Sequence, residues 1–158
     1  MAKKFLVALD RSRNSLRAVE FVANNISPTA EITLMSVVAD PAAACELHGP
    51  SEVHPLLTEN IKEFCVIEEA QRAAAEGFLE EAKKTLIKAG FSADCICVEL
   101  RRQVAGVADD ILLEANEGGY DGVILGKRGV SASKQFALGS VSNKVINHAG
   151  KLTVIVVD

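Results

Sequence analysis

The sequence predicts an α/β fold in which helices cover both faces of a parallel β-sheet. Short apolar runs of strand length alternate along the chain with segments whose apolar residues recur at helical spacing. These apolar residues are mostly Ala, Val, Leu and Ile, whereas aromatic residues make up only 4% of the chain and Trp is absent. Aliphatic runs of this kind are typical of parallel strands buried on both faces.

The first part of the chain begins with a predicted strand at residues 5–9. A helix follows, for which either Ser12 or Asn14 could supply the N-terminal cap. Pro28 ends this helix, and residues 32–38 form the second predicted strand. Both strands are largely apolar, as expected for the centre of a parallel sheet.

Residues 40–57 break the pattern and are predicted to form a long loop, because Pro and Gly recur in this segment. Loops of this length inside a compact domain are often functional or mobile. Cys45, His48 and His54 could serve as metal ligands, but no fourth ligand has a recognisable spacing. A solvated loop without metal is therefore the favoured interpretation.

Residues 58–89 are predicted to form one long helix, rich in Ala, Glu and Lys, that ends at Gly90. The candidates for its buried side are Phe64, Ile67, Phe78, Leu79, Leu86 and Ile87. The later elements are a strand at 93–100, an amphipathic helix at 104–115, a strand at 121–125, a helix at 140–148 and a strand at 151–158. Strands that alternate with helices predict right-handed crossovers between parallel strands.

Composition excludes several classes of protein. The chain of 158 residues predicts a single domain spanning 1–158, and its net charge of −4 without a long basic stripe argues against nucleic-acid binding. No apolar run is long enough to insert in a membrane, and the first apolar run stops at Asp10, too early for a secretory signal. We therefore expect a cytoplasmic protein.

The four cysteines, at positions 45, 65, 95 and 97, form no CxxC pair and show no zinc-type spacing. Cys95 and Cys97 alternate on the third predicted strand, so both are expected on one face. Buried free thiols in a reducing compartment are the favoured interpretation.

A glycine-spaced loop connects the fourth strand to the last helix, with Gly126, Gly129 and Gly139 followed by Ser140. Glycine lets a backbone approach a phosphate without an intervening Cβ, and the first amides of a helix attract anions. Our hypothesis is that this loop binds the phosphates of a nucleotide; the alternative is that its glycines serve only the turn.

Charged and polar side chains near this loop favour the same hypothesis. Lys127 and Arg128 add positive charge at its mouth, although a solvated surface pair explains them equally well. Hydroxyl donors close by are Ser131, Ser133, Ser140 and Ser142. Asp10, Val37 and Gly126 all lie at or near carboxyl ends of predicted strands, where ligands of such sheets bind, so one shared site is expected.

The spacing Gly126-x2-Gly129-x9-Gly139-Ser140 resembles the nucleotide loop of the universal stress protein family. The similarity extends over essentially the whole chain, through the segments VALDRS, LMSVVAD, GYDGVILGKRG, ALGSVSNKVINHA and VIVV. The resemblance implies a five-stranded parallel sheet in the order 3-2-1-4-5, of the Rossmann-like, adenine nucleotide alpha hydrolase-like kind. It also implies a stress-response sensor or regulator that binds ATP, or AMP or ADP, with room for Mg²⁺ beside the nucleotide.

The same resemblance implies residue roles. Asp10 matches the acidic residue near adenine and ribose, and Val37 matches the residue whose backbone meets the adenine edge. Leu125 and Gly126 match the start of the phosphate loop. The residues matching those that line phosphates and ribose are Gly129, Gly139, Ser140 and Val141. The alternatives are that Asp10 only caps a helix and that Val37 and Leu125 are strand core.

The chain also departs from the family pattern. Arg11 stands where many relatives have glycine, so its side chain could contact phosphate or crowd the pocket, and Lys127 stands where serine is common. In many relatives the segment that leads into the last strand contains proline, whereas residues 149–152 of this chain do not.

Family members are commonly homodimers that pair through their last strands. The apolar strand at residues 151–158 is expected at an uncovered sheet edge, which favours pairing, so we predict a homodimer. A regulatory protein partner is expected as well, of unknown identity.

No catalytic residue is assigned. The loop lacks a Walker pattern, and no residue stands out as a base or as a carboxylate that holds magnesium. His148 is explained equally well by the dipole of the last helix. The alternatives to a nucleotide sensor are a nucleotide-free interaction scaffold, with its pocket filled by Arg11 or by the loop at 40–57, and a slow ATP hydrolase.

Overall fold

The computed structural model describes residues 1–38, 55–129 and 138–158, with residues 55–65 and Glu68 described by their backbone alone. The five strands are β1 (Lys4–Ala8), β2 (Glu31–Val38), β3 (Ile96–Arg102), β4 (Gly122–Gly126) and β5 (Thr153–Val157). The described residues form four α-helices, α1 (Arg13–Asn25), α2 (Pro55–Lys88), α3 (Val107–Glu117) and α4 (Ser140–His148). Among the helices that the structure describes, none combines the length and apolar character that crossing a bilayer requires.

The strands form one parallel sheet in the order β3-β2-β1-β4-β5, which confirms the expected topology. In the central strand β1, successive side chains point to opposite faces. Val7 packs in a core with α1 and α2, whereas Leu6 and Ala8 pack in a second core with α3 and α4. Helices therefore cover both faces of the sheet, as predicted.

Helix α1 has the cap that the sequence indicates. The Ser12 side chain accepts a hydrogen bond from the Ser15 amide, 3.2 Å away, which satisfies one of the first amides of the helix. Of the two predicted candidates, Ser12 is therefore the cap.

Helix α2 begins at Pro55, three residues before the predicted start. We interpreted this proline as part of a loop, but proline is well tolerated in the first turn of a helix, where its missing N–H costs no hydrogen bond. The rest of the predicted loop, with the candidate metal ligands Cys45, His48 and His54, lies outside the described residues.

The buried side of α2 is a stripe of residues spaced by three and four, namely Ala75, Leu79, Ala82 and Leu86. Phe78 packs against this core, as predicted. The prediction is wrong for Ile87, which is 41% exposed because it follows the stripe by one residue, and for Ile67, which is 54% exposed. The Phe64 side chain lies outside the described residues.

The start of the third strand differs from the prediction. Ala93–Cys95 form a short 3₁₀ turn, and β3 begins at Ile96. Ile96 is the residue that faces the core, whereas Cys95 is half-buried and Cys97 is exposed. The expectation of two buried thiols on one strand face is therefore wrong for this pair, while the side chains of Cys45 and Cys65 lie outside the described part of the chain.

Helix α3 begins at Val107 rather than at residue 104. The Asp110 carboxylate is buried and accepts hydrogen bonds from the amides of Val104 and Ala105, at 2.9 and 3.2 Å. This contact folds the preceding segment back as a turn, which leaves Val104 88% exposed. The helical spacing of apolar residues alone cannot show where such a turn replaces the first turn of a helix.

Tyr120 offers a test of the second core, because it is the single tyrosine of the chain. Its hydroxyl donates a hydrogen bond to Glu114, at 3.0 Å, and burial raises the pKa of Tyr120 to about 12 from its ordinary value of 10.0. The neutral phenol therefore stabilises the fold below pH 10, and that contribution is lost as the pH rises through about 12. Phenolate absorbance should titrate near 12 in native protein and near 10 in urea; equal midpoints would contradict the burial.

Candidate functional site

A cavity of about 440 Å³ opens at the carboxyl ends of β1, β2 and β4, where the sequence predicts the site. Its volume falls within the range of about 300–1,000 Å³ that is common for small-molecule sites. All the predicted site residues line it: Asp10, Val37, Leu125, Gly126, Arg128, Gly129, Gly139, Ser140 and Val141. The parallel topology therefore brings together residues from three separate parts of the chain.

Much of the cavity lining is apolar. Val37 and Leu125 lie there with three residues that the sequence analysis did not assign to the site, Met35, Val107 and Ile111. Their apolar spacing predicts a buried position, but it cannot distinguish the wall of a cavity from the interior of a core. A surface of this kind accommodates a flat aromatic ligand by removing it from water.

Asp10 lies at the end of β1 in a fixed orientation. Its Oδ1 accepts hydrogen bonds from the Ser12 amide and the Ser15 hydroxyl, both at 2.8 Å, and the Ser15 hydroxyl in turn accepts from the Asp10 amide. Ser15 is buried and also lines the cavity, although the sequence analysis did not select it. Asp10 is therefore not the cap of α1, which is Ser12, but it orders the start of this helix while it lines the cavity.

Gly126 is required by packing between the glycine loop and α1. A Cβ at this position would lie 2.7 Å from Cβ of Asn14 and 2.9 Å from its carbonyl carbon. The same asparagine donates a side-chain hydrogen bond to the Arg128 carbonyl at 3.1 Å. Asn14, which we considered only as a cap, therefore holds the loop against the helix.

The other two glycines also allow close approach, but within the protein itself. A Cβ on Gly129 would lie 2.6 Å from Oδ2 of Asp10, and one on Gly139 would lie 3.2 Å from Cα of Arg128. The Gly139 amide donates to the Lys127 carbonyl at 2.8 Å, so this amide already has a partner inside the loop.

The start of α4 is a better source of anion-binding amides. Gly139 is its N-terminal cap residue and has no side chain to accept a capping hydrogen bond, in contrast with Ser12 at α1. The first amides of a helix have no partner within the helix and carry the positive end of its dipole. Ser140 and Val141, which provide these amides, line the cavity.

The predicted hydroxyl donors and cations have different environments. The buried Ser142 hydroxyl donates to the Lys127 carbonyl at 2.7 Å, so it holds the loop, while Ser140 is exposed at the cavity. Both loop cations form ion pairs with Asp158, Lys127 at 2.9 Å and Arg128 at 3.4 Å. Ser131 and Ser133 lie outside the described residues.

Arg11 is exposed and is not among the residues that line the cavity. This position does not agree with a side chain that crowds the pocket, whereas contact of Arg11 with a phosphate stays a prediction. His148 is also exposed and does not line the cavity, and its Nδ1 lies 2.9 Å from the Lys144 carbonyl in the last turn of α4. In residues 1–38, 55–129 and 138–158, no group of three His, Cys, Asp or Glu side chains could hold a metal ion.

Comparison with known proteins agrees with this architecture. The profile described as "Universal stress protein family" matches residues 1–158, whereas no curated protein matches the sequence significantly. Universal stress protein UspA from Lactobacillus plantarum is similar in structure, with a TM-score of 0.74, 23% identity, and coverage of 99% of this chain and 97% of that chain.

Two further similar structures contain nucleotides. The universal stress protein from Archaeoglobus fulgidus in complex with dAMP has a TM-score of 0.59, 22% identity, and coverage of 99% of this chain and 98% of its own. A universal stress protein family protein from Arabidopsis thaliana with AMP bound has a TM-score of 0.63 and 17% identity. The alignment covers 99% of this chain and 92% of that chain. At these identities the similarity establishes the shared fold.

Proposed function

The chain belongs to the universal stress protein family, and on that basis we propose that it binds an adenine nucleotide in the cavity at the carboxyl ends of β1, β2 and β4. The observation that carries the proposal is the composition of this one cavity. An apolar wall, an ordered carboxylate and the start of α4, whose cap residue is glycine, lie around the same space of about 440 Å³. These are the three kinds of surface that a base, a ribose and a phosphate require.

The residues present fit such a ligand. The apolar wall of Val37, Ile111 and Leu125 suits the adenine ring, and the Asp10 carboxylate can accept hydrogen bonds from ribose hydroxyls. The first amides of α4 suit the phosphates, since an anion there interacts with unpaired N–H groups and with the helix dipole. The Archaeoglobus and Arabidopsis relatives, which bind dAMP and AMP, support the choice of adenine.

We propose ATP as the favoured nucleotide and a regulatory role in stress response for the bound state. Arg128 lines the cavity and carries a positive charge. Its attraction for the ligand grows with the number of phosphates that the ligand carries. A sensor of this kind would act in the cytoplasm through a protein partner that recognises the nucleotide-bound form. The scaffold alternative predicts a pocket filled by Arg11 or by the loop at 40–57. Arg11 does not line the cavity, and most of this loop lies outside the described residues.

Calorimetric titration tests the proposal. We expect saturable binding of ATP, ADP and AMP by the purified protein, with GTP as the control for base preference. A bound ligand must also raise the melting temperature, by an amount that increases with the logarithm of its concentration above the dissociation constant. Absence of heat and of a melting shift at millimolar ATP would contradict nucleotide binding.

We also propose a homodimer through β5. This strand pairs with β4 along one edge, and in the described residues no strand pairs with its other edge. Its Val154, Ile155, Val156 and Val157 side chains are only half-buried, which favours pairing with a second copy. Sedimentation equilibrium should give twice the chain mass of 16.8 kDa, and a monomer at micromolar concentration would contradict the pairing.

A further inference from the structure

The two basic residues at the start of the glycine loop share one carboxylate. The Lys127 ammonium lies 2.9 Å from Oδ2 of Asp158, and Nη2 of Arg128 lies 3.4 Å from Oδ1 of the same side chain. The hydrogen bond from Lys127, with the charges of both cations, holds the pKa of Asp158 below its usual range. At neutral pH the cluster therefore contains two positive charges and one negative charge.

Only one of the two cations is part of the cavity. Arg128 lines it, whereas Lys127 and Asp158 do not. An anion in the cavity therefore competes with Asp158 for the guanidinium of Arg128, which can bind either carboxylate or phosphate. Lys127, which also pairs with Asp158, can neutralise this carboxylate without Arg128.

The backbone that carries both cations is held in place. The Lys127 amide donates to the Val157 carbonyl at 2.7 Å, and the Lys127 carbonyl accepts from the Gly139 amide at 2.8 Å. The Arg128 carbonyl accepts from the Asn14 side chain at 3.1 Å. These contacts allow the Arg128 side chain to exchange its partner while the backbone of Lys127 and Arg128 stays in place.

We propose that Asp158 is a built-in counter-ion for the phosphate end of the cavity, and that a bound polyphosphate draws Arg128 away from it. The inference rests on the proposed function, because it identifies the residue that sets the charge preference of the same site. Since Asp158 competes only with phosphate, it lowers the affinity for phosphorylated nucleotides and leaves the affinity for the nucleoside unchanged. The loss of affinity that Asp158 causes grows with the negative charge of the ligand.

The ion pair is suited to such an exchange. The Asp158 side chain is 56% exposed, and exposed ion pairs contribute little to stability, so ligand binding can break this contact reversibly. Removing the charge of Asp158 is expected to leave the fold intact for the same reason.

The test is the replacement Asp158→Asn, with calorimetric titration of adenosine, AMP and ATP at low salt. We expect ATP to bind about twofold to fivefold more tightly, AMP to gain less, and adenosine to bind as in the unchanged protein. Asp121→Asn is the matched control. It removes one exposed carboxylate that pairs with Lys3, at 3.0 Å, at the opposite end of the sheet.

The outcomes separate the counter-ion from nucleotide binding itself. If the unchanged protein binds ATP and Asp158→Asn does not alter that affinity, the counter-ion proposal is overturned and the proposed function stands. An equal gain for adenosine and ATP, or an equal gain in Asp121→Asn, overturns it as well. If the unchanged protein binds neither adenosine nor ATP, the proposed function is wrong and the counter-ion proposal fails with it.

Discussion

Replacing Gly129 by Val is expected to lower the affinity for ATP by roughly tenfold to a hundredfold, the equivalent of about 1–3 kcal/mol of overpacking. A Cβ at this position would lie 2.6 Å from Oδ2 of Asp10. The carboxylate cannot move freely, because its other oxygen accepts hydrogen bonds from Ser12 and Ser15. The added side chain therefore distorts a residue that we assign to ribose binding and also occupies space in the cavity.

Calorimetric titration of the Gly129→Val variant with ATP measures this effect, and its far-ultraviolet circular dichroism should remain that of the unchanged protein. The matched control is Gly77→Val on the exposed side of α2, where an added Cβ meets nothing within 4 Å. We expect the control to bind ATP normally. Equal ATP affinity in both variants would contradict the assignment of Gly129 to the site.

The second large effect is expected for Gly126→Ala, which should destabilise the fold by about 1–3 kcal/mol. The new methyl group would lie 2.7 Å from Cβ and 2.9 Å from the carbonyl carbon of Asn14. Because one of these atoms belongs to the backbone of α1, the helix or the loop must shift to relieve the overlap. The hydrogen bond from Asn14 to the Arg128 carbonyl should weaken as a result, and ATP affinity should fall with it.

Urea unfolding measures the stability change, with Gly77→Ala as the control of opposite sign. Alanine at this exposed helical position should stabilise the protein by about 0.5–1 kcal/mol, since glycine loses more backbone freedom on folding. If Gly126→Ala and Gly77→Ala unfold at the same urea concentration, the close packing of the loop on α1 is incorrect.

The sequence predicts the sheet well because each strand is an apolar run and each crossover contains a helix. It fails where a local contact replaces a regular pattern. The proline and glycine pattern predicts a loop at Pro55, but proline fits the first turn of a helix. Helical spacing predicts a helix at Val104, but Asp110 holds its amide in a turn. The cysteines at 95 and 97 were expected inside because thiols are often buried, but Ile96 occupies the core position between them.

The residues of the site could be selected from the sequence for a topological reason. Parallel strands place Asp10, Val37 and Gly126 at the same end of the sheet, where the strands have their carboxyl ends. Their proximity therefore follows from the fold class. The roles of Asn14 and Asp158 could not be predicted in the same way. Each depends on a side-chain contact with a residue far away in the sequence. No spacing of residues along the sequence indicates either contact.

The most direct measurement is a crystal structure of the protein grown with excess ATP. We expect the nucleotide in the cavity, with its base against Val37 and Leu125, its ribose at Asp10 and its phosphates at the first amides of α4. A cavity closed by the protein's own side chains, or ATP bound elsewhere on the molecule, would contradict nucleotide binding at this site.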